Sequence, residues 1–222
     1  MNESSIADLI GDLDLFADLG VGELEGVAAT GATEKLRRGD VLFNEGDEAH
    51  DLYVVQRGRV AMVNKSFDGR ESVVYLMEPG DVFGDMPLFD GLTRSTEARA
   101  LETSQVVRIP YGPIRAIYEA HPDLLWRVIE LLSTRLRNTD AALADSVFLD
   151  VTGRTAKRLL EMAGDQDSFD LPVTQEELAG MVGASRERVN KAIASFVKLG
   201  WIEQVDRSYT ILDRQQLEIR SS

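Results

Sequence analysis

The 222-residue chain contains no cysteine. Disulfides, thiolate metal sites and iron–sulfur clusters are therefore excluded. Histidine is almost missing too: His50 and His121 are the only two, which is little from which to build a zinc or haem centre. Nowhere do about 18 apolar residues run together, so no transmembrane helix and no membrane partner are expected. The opening stretch MNESSIADLIGDLDLF has neither a basic start nor a long apolar segment. It does not read as a secretory signal, and a cytoplasmic location is the expectation. No Walker motif, Ser–His–Asp set or metal cluster appears, so an enzyme is not expected.

Positive charge is also scarce. The net charge is −14, which on its face argues against a nucleic-acid partner. The acidity is uneven, however. Residues 1–151 carry 14 basic and 27 acidic side chains, whereas residues 152–222 carry 10 and 11. Within the second stretch, Arg186, Arg188, Lys191 and Lys198 stand against Glu187 alone between Ser185 and Lys198. A local basic face matters more for phosphate contact than the global total.

What is present falls into three pieces: a sensor domain over residues 1–121, a long helix over 122–149 and a smaller domain over 150–222. Short helices are predicted within residues 1–27, with Asp12 placed to cap a turn. From Leu36 to Ile109 short apolar runs recur at 41–43, 52–55, 60–63, 73–76 and 106–109. Turn pairs separate them: Gly39-Asp40, Gly46-Asp47, Asp68-Gly69 and Pro79-Gly80-Asp81. This spacing predicts an antiparallel β-roll of jelly-roll type, with Asp68-Gly69 closing a hairpin.

Pro122 then opens a helix reaching about Phe148, about 40 Å long at 1.5 Å per residue. Leu125, Ile129, Leu132, Leu136, Thr139, Leu143 and Ser146 alternate steps of four and three, a heptad seam that predicts a homodimer. The seam turns polar at Thr139 and Ser146. A polar seam position sets register, or it faces a ligand held between subunits.

Beyond Asp150 a helix is predicted over 152–164, then an acidic loop over 165–170 and an extended 171–173. Thr174 with Glu177 three residues on makes a capping box. Gly183 ends that helix and Ser185 caps the next. Two short helices joined this way form a helix-turn-helix, and the segment from Gly200 to Leu212 reads as a β-wing. Val189, Ile193, Phe196 and Val197 are expected to face inward, leaving Arg186, Glu187, Arg188, Asn190 and Lys191 exposed. Arg and Lys match guanine edges and Glu accepts from cytosine N4, so this is a readout set for the major groove of double-stranded operator DNA. The fold class is α+β.

Three segments carry a resemblance: VTQEELAGMVGASRERVNKAI, the hinge VFLDVTGR (147–154) and FGDMPLFDGLTRSTEA (83–98). Together they resemble the cyclic-AMP receptor protein branch of the catabolite activator and fumarate–nitrate regulator superfamily, over nearly the whole chain. The resemblance implies a homodimeric transcription regulator that binds cyclic AMP and palindromic TGTGA-type operators and works with RNA polymerase. It matches Gly84, Asp85, Arg94 and Ser95 to the phosphate cassette. Arg94 would neutralise the cyclic phosphate, Ser95 would complete the cradle and Asp85 would accept the ribose 2′-hydroxyl. The family has Glu where Asp85 stands, so the carboxylate sits one methylene back, about 1.5 Å. Thr139 and Asp140 match the pair that meets the adenine amino group. A carboxylate at 140 accepts only, which suits adenine and not guanine O6. Met62 and Val74 fall near the pocket wall. Ser185 and Arg188 would contact phosphate; Arg186, Glu187 and Lys191 would contact bases. A member that binds DNA without cyclic AMP, or that senses another small effector, is the competing reading.

Overall fold

A computed structural model describes residues 5–16, 19–67 and 71–222. Two compact units partition the chain: Met1–Gly69 with Val73–Arg135, and Arg70–Ser72 with Leu136–Ser222.

In the first unit, α1 (Ile6–Gly11) starts on a capping box in which the Ser5 side chain accepts from the Asp8 amide and Asp8 accepts from the Ser5 amide. Asp12 closes the C-terminal end of α1 rather than opening the next turn. A 3-10 turn at Asp14–Phe16 and α2 (Val21–Ala28) follow. The strands are β1 (Ala32–Leu36), β2 (Val41–Phe43), β3 (Asp51–Arg57), β4 (Val60–Lys65), β5 (Glu71–Met77) and β6 (Val82–Phe83). The short helix α3 (Met86–Asp90) separates them from β7 (Glu97–Ala100) and β8 (Ser104–Pro110). Then come α4 (Tyr111–Ala120) and a 3-10 turn at Pro122–Leu124. Pro122 opens that turn, and the long helix α5 runs from Leu125 to Phe148.

The strands form two four-stranded sheets, ordered β1-β8-β3-β6 and β2-β7-β4-β5; each pairing with a determined register is antiparallel. Alternation along β3 explains their stacking. Tyr53 and Val55 join Phe43, Val60, Met62, Phe83 and Val106 between the sheets. Leu52 and Val54 point the other way, to a second core built with Ile10, Phe16, Val27, Ile114 and Leu124. The expected Asp68-Gly69 hairpin lies outside the described residues, though β4 and β5 are neighbours in their sheet.

In the second unit the C-terminal half of α5 leads through Leu149 and Asp150 into α6 (Val151–Ala163). The helices α7 (Gln175–Val182) and α8 (Arg186–Lys198) pack on α6. Thr174 and Glu177 exchange the two bonds of a capping box. Gly183 ends α7 in the left-handed region at φ 68°, which a glycine adopts without steric cost. The wing has three strands, β9 (Ser168–Asp170), β10 (Ile202–Val205) and β11 (Ser208–Ile211), in the order β10-β11-β9. Residues 168–170, expected as acidic loop, are therefore a strand. Phe169 stacks on the buried Tyr209, with ring centroids 5.7 Å apart, and this contact holds the polar segment against β11. The extended run expected at 171–173 is not itself a strand. Helix α9 (Arg214–Arg220) ends the unit against α6. Among the described residues no helix is long and apolar enough to cross a membrane.

Candidate functional site

Arg94 stands at the centre of the first unit's polar cluster. Its backbone is pinned on both sides: Arg94 N–H donates to the Asp47 carbonyl at 2.9 Å, and Gly46 N–H donates to the Arg94 carbonyl at 2.8 Å. The side chain turns inward and is only 5% exposed. Its Nη1 donates to the Gly84 carbonyl at 2.8 Å and to the Tyr111 hydroxyl at 3.1 Å; Nη2 donates to the Asp51 carbonyl at 2.7 Å. The Tyr111 hydroxyl in turn donates to the Gly84 carbonyl. The guanidinium lies over the Phe43 ring, its Cζ 4.2 Å from the centroid, a cation–π contact. Burial pushes the Tyr111 phenol up to about 12, against the opposing pull of Arg94, so Tyr111 is a neutral donor at physiological pH.

Two features of this cluster point to an anion. The buried Arg94 Nε has no hydrogen-bond partner among the described residues. No carboxylate pairs with this guanidinium among them either; its acceptors are neutral oxygens. A buried cation so placed gains from a negative ligand. Gly84 beside it has φ +72°, and a Cβ there would stand 2.6 Å from Arg94 Nη1. The close approach of backbone and guanidinium therefore requires glycine.

Asp85 follows Gly84 but has another partner. It occupies the N-cap position of α3 and makes no side-chain cap bond. Its carboxylate is buried, with Asp85 2% exposed, and Arg135 Nη1 donates to both oxygens at 3.0 and 2.9 Å. Arg135 Nη2 donates to the Val82 carbonyl at 2.9 Å. Arg135 is thus a second cation next to the cassette, contributed by the first half of α5, and sequence reasoning missed it, as it missed Tyr111. A signal existed for Arg135: it lies four residues before Thr139, one helical turn along the same face. Ser95 is exposed, its hydroxyl 3.9 Å from Met86 Sδ. Met62 belongs to the core between the sheets, whereas Val74 on β5 is 41% exposed. Thr139 and Asp140 lie on the exposed second half of α5.

The other expected site is the exposed side of α8. Ser185 caps it, its side chain accepting from the Arg188 amide. Val189, Ala192, Ile193 and Phe196 are buried, and Phe196 stacks on Trp201 at 5.6 Å; Val197, expected inward, lies at the edge of that face and is 43% exposed. That packing leaves Arg186, Glu187, Arg188 and Lys191 in solvent together on the N-terminal half of the helix. The wing turn is tied down: Asp206 takes the left-handed φ of 53°, and Arg207 Nη2 donates to the Leu171 carbonyl at 2.9 Å.

A double-sheet roll with a buried glycine–arginine cluster, followed by a long helix and a winged helix-turn-helix, defines a sensor joined to a DNA-binding domain. Comparison with known proteins agrees. The family description "Cyclic nucleotide-binding domain" matches residues 33–121, and "Crp-like helix-turn-helix domain" matches residues 153–220. The chain is similar to the CRP-like cAMP-activated global transcriptional regulator of Mycobacterium tuberculosis (strain ATCC 25618 / H37Rv). They share 38% identity over 191 residues, covering 83% of this chain and 85% of that protein. Among solved structures, FixK2 from Bradyrhizobium japonicum superposes with a TM-score of 0.78 at 20% identity, over 86% of this chain and 98% of that one. The c-di-GMP responsive regulator CLP of Xanthomonas campestris gives 0.74 at 25% identity, over 86% and 99%. The chain belongs to the CRP/FNR superfamily of transcription regulators.

Proposed function

We propose that the chain is a cytoplasmic, homodimeric regulator that binds cyclic AMP and, in response, palindromic operator DNA of TGTGA type. The observation that carries the ligand reading is Arg94: a buried guanidinium with a bare Nε, no carboxylate partner among the described residues and a glycine backbone pressed against it. Of the residues at hand, Arg94 and Ser95 would hold the cyclic phosphate. Thr139 and Asp140 would meet the adenine amino group, Met62 and Val74 would line the wall, and Gly84 would leave room for the approach. Asp85 has its oxygens on Arg135, so contact with the ribose passes through that pair. The M. tuberculosis relative is named as cAMP-activated, which supports the same choice of ligand. The CLP relative is named as c-di-GMP responsive, so another effector is the reading to beat.

The uncovered seam of α5 supports the dimer. Ile129, Leu132, Leu136 and Leu143 are between 41% and 63% exposed in the single chain, an apolar stripe that a second copy would cover. The division proposed is a sensor over 1–121, a dimerisation helix over 122–149 and a DNA-binding domain over 150–222. Arg186, Glu187 and Lys191 would read bases while Ser185 and Arg188 hold phosphates. Ligand bridging the two α5 helices would bias the separation of the two α8 helices towards the 34 Å or so of one DNA turn. RNA polymerase is the expected downstream partner, and the chain turns over no substrate.

The test is titration calorimetry of the wild-type chain and Arg94→Leu with cyclic AMP, cyclic GMP and cyclic di-GMP. Cyclic AMP should bind the wild type most tightly, and the substitution should abolish its heat while far-UV circular dichroism is unchanged. Unaltered affinity in Arg94→Leu, or preference for another of the three, would overturn the reading.

A further inference from the structure

The junction between α5 and α6 carries a restraint that the ligand and base-contact readings leave unused. Only Leu149 and Asp150 separate the two helices, so a few backbone torsions decide the direction in which α6 departs. Asp150 is the N-cap of α6, accepting from the Gly153 amide at 2.8 Å. The same carboxylate is gripped from α9: Arg220 Nη2 donates to both its oxygens at 2.5 Å. The Gly153 amide, and after it Arg220, hold the Asp150 carboxyl below its ordinary value, so the pair is charged at neutral pH. Arg220 is itself anchored. Leu217, three residues earlier, is fully buried, and the Arg220 carbonyl sits so near Gly153 that a Cβ there would stand 2.9 Å from it. Two further cations of α6 tie the same junction: Arg154 Nη1 donates to the Leu149 carbonyl at 2.6 Å, and Lys157 pairs with Asp145 at 2.5 Å.

We propose that Arg220 is a positioning residue for operator recognition: α9 clamps Asp150 and so sets the direction in which α6, with α7 and α8 packed on it, leaves α5. This rests on the reading of the chain as a dimer that places two α8 helices in successive major grooves. In such a dimer, a small change of direction at each junction is a change in the spacing of the two recognition helices. A clamped junction therefore favours one half-site separation, and a released one tolerates others. Asp150 is 63% exposed in its side chain, so the pair acts with the modest strength of a surface ion pair. The expected effect on spacing preference is about two- to fivefold.

The experiment measures the dissociation constants of two duplexes, the palindrome and the same palindrome with one base pair inserted at its centre. The wild type should prefer the first. Arg220→Ala should reduce that preference two- to fivefold with the thermal midpoint little changed, and Arg220→Lys should restore most of it. Asp150→Asn keeps a side-chain oxygen for the cap but loses the charge, and should match Arg220→Ala; the double variant should add nothing further. If Arg220→Ala fails to fold, Asp150→Asn decides alone. Unchanged preference in the folded variants overturns the clamp while leaving the dimer reading intact. A wild type with no spacing preference overturns both.

Discussion

Replacing Arg135 with methionine should destabilise the chain by about 3 kcal/mol, the lower end of the 3–5 kcal/mol lost when one member of a buried ion pair is removed. The lower end applies because the pair is unevenly buried: the Asp85 side chain is 2% exposed and that of Arg135 26%. Water reaches the cation but not the carboxylate. Methionine fills much of the arginine stem and preserves packing, so the loss reports on the stranded charge and on the bonds at 3.0 and 2.9 Å that satisfied it. Asp85→Asn should cost less, about 1 kcal/mol, since it leaves a cation that water partly reaches and a neutral amide still able to accept a bond. The double variant should be more stable than Arg135→Met alone, with a coupling of at least about 1.5 kcal/mol. Urea titration followed by circular dichroism, at one fixed protein concentration because the proposed dimerisation would be linked to folding, measures all four corners. A loss below about 1 kcal/mol for Arg135→Met would refute the reasoning, since the pair would then behave as a surface contact.

Tyr111→Phe should weaken alkaline unfolding. The folded-state pKa of Tyr111 is raised from 10 to about 12, so its contribution is complete below pH 10 and is lost as pH rises from 10 through 12; a phenylalanine variant should show a shallower fall in stability there by pH-dependent melting. Asp140→Asn should narrow the ratio of cyclic GMP to cyclic AMP dissociation constants, because an amide donates to guanine O6; an unchanged ratio would remove Asp140 from the base contact. Leu132→Asp combined with Leu136→Asp should give a monomer by sedimentation, against a wild-type mass of twice 24.6 kDa. Arg186→Ala should cost about 1–3 kcal/mol on the palindrome and relax preference at one G·C pair. Arg188→Ala should weaken palindromic and scrambled duplexes alike and lower the salt slope by about one per subunit.

Much of the candidate machinery is legible before any fold is known, and the reason is locality. Thr174 with Glu177, Gly183 and Ser185 lie within twelve residues, and caps act over one turn, so the helix-turn-helix could be drawn from spacing alone. The apolar runs at 52–55 and 60–63 became β3 and β4 because runs so short between turn residues are too brief for a buried helix and fit a buried strand. Strands without such runs were not legible. In β1 only Leu36 is buried, β6 has two residues, and β7 carries the charged Glu97 on a buried position beside Lys65 and Arg99. These segments are strands because a neighbour offers them a hydrogen-bonding edge, and nothing in their own period announces it.

By itself the sequence determined the order of parts: a glycine-punctuated roll, a heptad helix and a capped helix pair with a wing. Each is written in a period or a cap that operates within a few residues. Tertiary structure alone decided who partners whom. Asp85 meets Arg135 across 50 positions, Arg94 takes carbonyls from Gly84 and Asp51, and Asp150 is held by Arg220 from 70 positions away. A charged side chain far along the chain is interchangeable with others of its type until packing brings one of them within 3 Å. The hydrogen bond that selects it is confined to that same short distance and a narrow range of angles, whereas the Coulomb attraction falls only as the inverse of distance and does not by itself choose between partners.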